Sequence, residues 1–362
     1  MSDVPHIVID ARFTRIGHHD GISRYGASLI AAVVPYASVT MLISDERQLE
    51  LLPDVPSVLI GSPLSPRELF VARDVNKLAP DLVFCPMQTM GSWGRKYPLV
   101  LTLHDLIYYE HPAPPGFLPA PVRVLWRLYH KAYWPQRLLL NRADAVATIS
   151  RTTRDLMAAH RLTKRPVRIV GNAPQGGRLP RDASVPPEKS LVYMGSFMPY
   201  KNVETLIAGM AGLPGFTLHL LSRIADARRA ELEALVPAGA AVVFHNGVSD
   251  AEYDELLLRA TALVTLSRAE GYGLPLVEAM ALGTPVVVAD TPIFREVGGD
   301  AALYVPADSP AAFARAVTEL ADDAAWRARS AASVARAATF SWDDSARELA
   351  AIARELRGSR KP

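Results

Sequence analysis

A single cysteine, Cys85, stands in a chain of 362 residues. That scarcity rules out a disulfide framework and any zinc site built on thiolates. Within "DLVFCP" the residue reads as a small buried apolar side chain. Net charge is also nearly absent. The 39 Lys and Arg against 37 Asp and Glu leave a formal +2, too balanced to mark a nucleic-acid binder by its field, so any positive site must be local. No apolar run is long enough to cross a bilayer: the best, "SLIAAVVPYASVTMLI" from Ser28, has sixteen residues, carries Pro35, and reads as helix, turn and strand. The opening "MSDVPHIVIDARF" lacks the basic start, apolar centre and small-residue cleavage site of an export signal, which predicts a cytoplasmic protein. There is no Asp-x-Asp pair to hold a divalent cation, no repeat of solenoid period and no low-complexity tract. The alanine-rich stretch from Asp322 to Ala338 reads as plain helix.

What is present is an alternation. The chain is 49% apolar and longer than one hydrophobic core comfortably fills, which predicts two domains. Short β-branched runs, "HIVID", "SVTMLI", "DLVFCP", "LVLTLHD", "AVATIS" and "VRIVG", alternate with helical stretches, the signature of a mostly parallel sheet wrapped by helices. The pattern pauses in "GGRLPRDASVPPEKS" and restarts with "LVYMG", "FTLHLLS", "AVVFHNG", "ALVTLS", "TPVVVAD" and "AALYVP". The expected organisation is an α/β protein with two Rossmann-like, doubly wound domains, residues 1–175 and 191–340, facing across a cleft. Residues 176–190 form the linker, and the tail, 341–362, is a helix with Ser341 as N-cap and Trp342 as anchor.

The chemistry concentrates in "SRAEGYGLPLVEAMALGTPVV". "ALVTLS" predicts a buried strand, "RAEGYG" the loop at its C-terminal end, and Pro275 the first turn of a helix, where anions and nucleotides bind in open α/β sheets. Gly271 and Gly273 let the backbone approach a ligand. Glu270 and Glu278, with a loop and a helical turn between them, should stand about 10 Å apart, from ~1.5 Å of rise per helical residue. A retaining glycosidase pair needs about 5 Å. The wider spacing suits a ligand with hydroxyls at both ends and charge between them, a nucleoside diphosphate sugar. The alternative is that Glu270 caps the helix and Glu278 is a solvated helix position.

"EGYGLPLVEAMALGTPVVVAD…REVGGDAALYV" resembles the E-x7-E region of the large retaining glycosyltransferase family 4, whose fold is GT-B. Similar residues follow in order along most of the chain: "DGISRY" at Asp20, "LTLHDL" at Leu101, "ATIS" at Ala147, "YMGSFMPYKNVETLI" at Tyr193 and "HNGVSDAEYDELLLRA" at His245. The resemblance implies that Glu270 contacts the donor sugar and Glu278 the ribose hydroxyls, while the backbone of Gly271, Tyr272, Gly273 and Leu274 lines the sugar site. It also implies that His104 positions the sugar hydroxyls, that anomeric configuration is retained, and that the sugar is mannose carried by GDP.

Lys201, after the strand "LVYMG", opens a predicted helix and could meet the diphosphate. The family pairs this lysine with an arginine a few residues earlier. Here Ser196 to Tyr200 hold none, and Arg223 is the substitute. In "GHHDGISRYG", Gly21 and Ile22 offer backbone donors, although Ser23 stands where the family often has a second glycine. His18 and His19 read as solvated loop residues. His104 and Asp105 end a strand at the edge that faces a cleft; a metal pair is the rival reading, with no second histidine-carboxylate pair to complete it. Base recognition falls to the backbone from His245 to Val248.

With no Asp-x-Asp motif and no evident nucleophile, the expected reaction is metal-independent and cofactor-free. An acceptor hydroxyl attacks on the face that the diphosphate leaves. The acceptor is a glycan or a lipid-linked glycan. "RVLWRLYHKAYWPQRLLLNR" reads as one helix with Arg123, Arg127 and Lys131 on one face beside Trp126, Tyr129, Tyr133 and Trp134, suited to peripheral contact with an anionic membrane such as the inner face of the plasma membrane. The alternative is that the aromatics pack on their own domain. A sugar-nucleotide epimerase, a donor carrying UDP, and a scaffold without turnover are the other readings. A dinucleotide oxidoreductase is disfavoured because "GYGLPL" lacks the third fingerprint glycine.

Overall fold

The computed structural model describes residues 4–114 and 119–358. Residues 1–3 of the opening stretch and 359–362 of the predicted terminal segment lie outside it, as do 115–118. The chain divides into two compact units, Met1–Asn172 with Ser341–Pro362, and Ala173–Phe340.

The first unit is a seven-stranded sheet: β1 (His6–Asp10), β2 (Ser38–Ile43), β3 (Ser57–Leu59), β4 (Leu82–Cys85), β5 (Leu99–Leu103), β6 (Ala145–Thr148) and β7 (Val167–Ile169), in the order β3-β2-β1-β4-β5-β6-β7. The second has six: β8 (Glu188–Tyr193), β9 (Thr217–Leu220), β10 (Ala241–Phe244), β11 (Ala260–Thr265), β12 (Val286–Ala289) and β13 (Leu303–Val305), in the order β10-β9-β8-β11-β12-β13. Every pairing is parallel. Helices cover both faces, so central strands read as continuous apolar runs; all residues of "LVLTL" in β5 are buried.

Each order reverses once, between β1 and β4 in the first sheet and between β8 and β11 in the second. Loops leaving the C-terminal ends of strands on either side of such a point diverge and open a crevice.

The terminal helix, Trp342–Gly358, belongs to the first unit although the chain reaches it through the second. Ser341 Oγ accepts from the amides of Asp343 and Asp344 at 3.1 and 3.3 Å. Ala346, Leu349, Ala350, Ile352 and Ala353 are buried, and the helix packs on Gly21–Val33. Trp342 lies 5.9 Å from the Tyr25 ring, and Arg168 pairs with Glu348 and Glu355 at 2.7 and 2.6 Å.

Three details differ from the sequence reading. Strand β3 was not foreseen; its three residues are exposed or half-exposed and give no apolar run. The segment 176–190 is not all linker, because β8 starts at Glu188 and the second unit at Ala173. The basic segment is two helices, Ala120–Tyr129 and Trp134–Leu140, since Pro135 suits only a helix start. Lys131 therefore lies beyond the first helix and does not extend its basic face.

Candidate functional site: the strand-order reversal of the second sheet

Lys201 follows β8 and Glu270 follows β11, so the reversal point brings together two groups 69 residues apart in sequence: Lys201 Nζ donates to Glu270 Oε1 at 2.6 Å. The side chains are 14% and 15% exposed, shielded enough for the pair to be a defined contact and open enough for a ligand to exchange with it. Lys201 does not open a helix. It ends a 3-10 turn, Pro199–Lys201, and the next helix begins at Val203.

Between them Asn202 holds a left-handed backbone, φ +56°, a conformation that Asn tolerates better than most residues. Its buried amide donates to Leu266 O at 3.1 Å and Ala307 O at 2.7 Å, and its oxygen accepts from Thr205 Oγ1 at 2.8 Å. The Arg268 amide donates to Tyr200 O at 2.8 Å. The buried Ser267 hydroxyl donates to Ala269 O at 2.8 Å. The loops after β8, β11 and β13 are thus laced together, and Lys201 and Glu270 stand on a fixed frame.

The glycines of "EGYGLP" separate into roles. Gly273 is the N-cap of the helix Leu274–Ala281 with φ +90°, no side-chain cap, and Pro275 in the first turn. A β-carbon there would stand 3.1 Å from Phe294 Cε1. Tyr272 points inward, 7% exposed, with its ring 6.2 Å from that of Phe340. Burial raises its phenol above the ordinary value, with Glu296 adding to the shift. The Tyr272 side chain is therefore a wedge; Gly271 is buried beside it, and the backbone of the loop comes out at Gly273 and Leu274, which are half-exposed.

Glu278, one helical turn on, is only 4% exposed and is not a solvated helix position. Arg178, just past the unit boundary, spans Asp254 Oδ2 at 3.0 Å and Glu278 Oε1 at 3.8 Å. Sequence reading missed Arg178; "GGRLP" reads as linker, and only the fold brings it to Glu278.

Arg223 is exposed and lies over the turn after β10, where a β-carbon on Gly247 (φ +107°) would meet its Cγ at 3.1 Å. Val248 follows, half-exposed. The "SFMPY" turn has an arginine nearby after all: Arg228 donates to Phe197 O at 3.2 Å, but its other nitrogens engage Glu204 and Glu231.

The first unit carries its own set at its own reversal point. After β1, Asp20 caps Gly21–Val33 by accepting from the Ser23 amide at 2.9 Å, and its second oxygen accepts from Arg15 Nε at 2.7 Å. Gly21 is exposed and Ile22 half-exposed. His18 is exposed, as expected of a loop residue. After β5, His104 Nε2 lies 2.7 Å from Pro86 O. A carbonyl only accepts, so Nε2 carries the proton and Nδ1 is the acceptor of the neutral ring. Desolvation lowers the His104 pKa, holding the imidazole neutral. The Tyr25 ring meets it edge-on at 5.2 Å.

A buried charge network also escaped the sequence reading. Arg12 Nε and Nη2 donate to Asp10 at 2.8 Å each, and its Nη1 and Nη2 donate to Glu68 at 2.6 and 3.1 Å. The signal was the Asp and Arg of "IDARF" at a buried strand end; Glu68, 56 residues away, left none. Cys85 lies in the same core, its thiol pushed up by burial and then by the charge of Asp10.

Two family models match in chain order without overlapping. The one described as Glycosyltransferase Family 4 covers residues 41–173, and Glycosyl transferases group 1 covers residues 180–337. The O-antigen chain mannosyltransferase RfbU of Salmonella typhimurium is 26% identical over 235 residues, 61% of this chain and 60% of that protein. The O-antigen chain mannosyltransferase B of Escherichia coli is 32% identical over 161 residues, 42% of each chain. The chain thus aligns with less than two thirds of the length of these relatives. Among solved structures, sucrose-phosphate synthase from Thermosynechococcus elongatus superposes with a TM-score of 0.71 at 20% identity, over 98% of this chain and 100% of that one. HepE from Anabaena, in complex with UDP and glucose, gives 0.68 at 17%, over 96% and 99%. With both sheets parallel and singly reversed and each half matched by a glycosyltransferase model, the chain is a glycosyltransferase of GT-B fold, similar to those of family 4.

Proposed function

We propose that the protein transfers a hexose, mannose from GDP-mannose, to a glycan or lipid-linked glycan with retention of configuration and without a metal. The observation that carries the reading is the Lys201–Glu270 contact at the reversal of the second sheet, followed in the chain by the Gly273-capped helix that buries Glu278. Glu270 accepts from hydroxyls of the donor sugar and Glu278 from the ribose. Lys201 exchanges Glu270 for the diphosphate and meets the charge that grows on the leaving oxygen, together with the backbone amides at the Gly273–Leu274 helix start. In the first unit, the neutral His104 presents Nδ1 as a hydrogen-bond acceptor. Arg223 stands in for the missing arginine at the diphosphate, and Val248 borders the base.

The acceptor oxygen attacks the anomeric carbon on the face from which the diphosphate departs. The new C–O bond forms as the old one breaks, and the proton of the acceptor hydroxyl passes to the departing phosphate oxygen. The mannosyltransferases RfbU and mannosyltransferase B favour mannose. The UDP and glucose held by HepE favour the second reading, a UDP-sugar.

The test is incubation of the protein with GDP-mannose or UDP-glucose and a panel of glycan acceptors in excess EDTA, with the new anomeric linkage read by NMR. Retained transfer from GDP-mannose is expected. A new sugar nucleotide without acceptor would indicate an epimerase, inversion would refute the mechanism, and donor binding without transfer to any acceptor would indicate a scaffold.

A further inference from the structure

The helix Ala120–Tyr129 is amphipathic, yet none of its ten residues is buried. Its inner side is closed by its own unit: Trp126 meets the Tyr108 ring at 4.8 Å, and Tyr133, beyond the helix, stacks on Tyr109 and His160 at 4.3 and 4.4 Å. The aromatics expected to reach a membrane from this helix are therefore spent on the fold. What faces out is aliphatic: Val122, Val124, Leu125 and Leu128 are 42, 55, 66 and 57% exposed. The next helix adds Trp134 and Leu138, 61 and 57% exposed. Soluble proteins seldom leave such a group uncovered.

Along this stretch of sequence the charge is of one sign. Between Glu110 and Asp144 the sequence has five cations, Arg123, Arg127, Lys131, Arg137 and Arg142, and no carboxylate. Trp134 and Leu138 also line an open basin of about 910 Å³ whose other walls are Arg137, Asn141, Arg142, Lys164 and Arg165. Aliphatic side chains that project outward beside four cations match the two layers of an anionic bilayer surface, acyl chains below and phosphates above.

We propose that this face docks the protein on a bilayer containing anionic phospholipid, with Leu125, Leu128, Trp134 and Leu138 entering the interface and the basin cations on the phosphates. The inference deepens the reading of a lipid-linked acceptor and rests on it only for the presence of a membrane.

The test is flotation with vesicles of phosphatidylcholine alone or with phosphatidylglycerol, at low and high salt. Donor binding is followed on the same samples by thermal shift with GDP-mannose. Wild type should float with the anionic vesicles at low salt and not with the neutral ones. The triple variant R127E/R142E/K164E changes exposed side chains only, and should lose at least fivefold in partitioning per charge. L125E/L128E should lose about tenfold or more. Both should keep the wild-type thermal shift with donor.

No flotation on anionic vesicles, or equal flotation of wild type and both variants, would overturn the proposal. So would a wild-type dimer that L125E/L128E dissociates with no change in flotation, or binding of inorganic diphosphate with no affinity for vesicles. A retained donor shift without flotation sinks the membrane face alone. Flotation without a donor shift sinks the donor reading alone.

Discussion

At the scale of single residues, the site is a pair of opposite charges waiting for a third. Glu270 now satisfies Lys201, so a diphosphate must compete with a carboxylate for the same ammonium. E270Q should therefore bind GDP several-fold more tightly than wild type while turnover falls by about 10²–10³-fold, the usual cost of a lost polar contact to the reacting group. Calorimetric titration with GDP and initial rates check the two halves; weaker GDP binding by E270Q would refute the competition. His104 makes a prediction in pH. Its folded pKa lies below the unfolded value near 6.5, so between the two the unfolded chain holds a proton that the folded chain lacks. Stability from this group is complete above 6.5 and is lost as pH falls toward the folded value. His130 and His219 are lowered for the same leading reason, desolvation. The melting temperature should fall from pH 7.5 to 5, and less steeply in H104Q; an identical slope would contradict the burial argument.

At the scale of elements, the loops are held by residues whose value is geometric. Gly273 at φ +90° tolerates no side chain cheaply: G273A should cost about 1–2 kcal/mol from the left-handed backbone alone, read by denaturant unfolding. N202G keeps the backbone but strands the buried Leu266 carbonyl and the half-buried one of Ala307, and should cost about 1–3 kcal/mol. R12M leaves the buried Asp10 carboxylate without its cation and beside the half-buried Glu68, a loss of about 3–5 kcal/mol; a near-wild-type midpoint would show that the network carries no net stability.

These cases also mark where the sequence was legible. Strands such as "LVLTL" announce themselves because helices bury both their faces, and the E-x7-E string because one loop and one helix hold all its parts. Arg178, Glu68 and Asn202 act through partners across 100, 56 and 64 residues, and no local pattern encodes a partner that only the topology supplies. The basic segment differs for the opposite reason: periodicity drew one helix through Pro135, and Trp126 and Tyr133 turned inward to Tyr108 and Tyr109 while Trp134 stayed exposed.

At the scale of the whole molecule, chain order and folding unit part company at the terminal helix. Ending the chain at Phe340 would strip Leu349 and Ile352 from the first unit and leave Arg168 without Glu348 and Glu355. Scanning calorimetry of that truncation should show the transition of the first unit lowered or missing and that of the second retained. The central claim is that the second unit grips a nucleoside diphosphate sugar through Lys201, Glu270 and Glu278. Its most direct test is calorimetric titration of GDP-mannose and UDP-glucose into wild type, K201M and E278Q. The account predicts that wild type binds one of them and that each variant loses at least tenfold in affinity; equal affinity in all three proteins, or no binding of either donor by wild type, would contradict it.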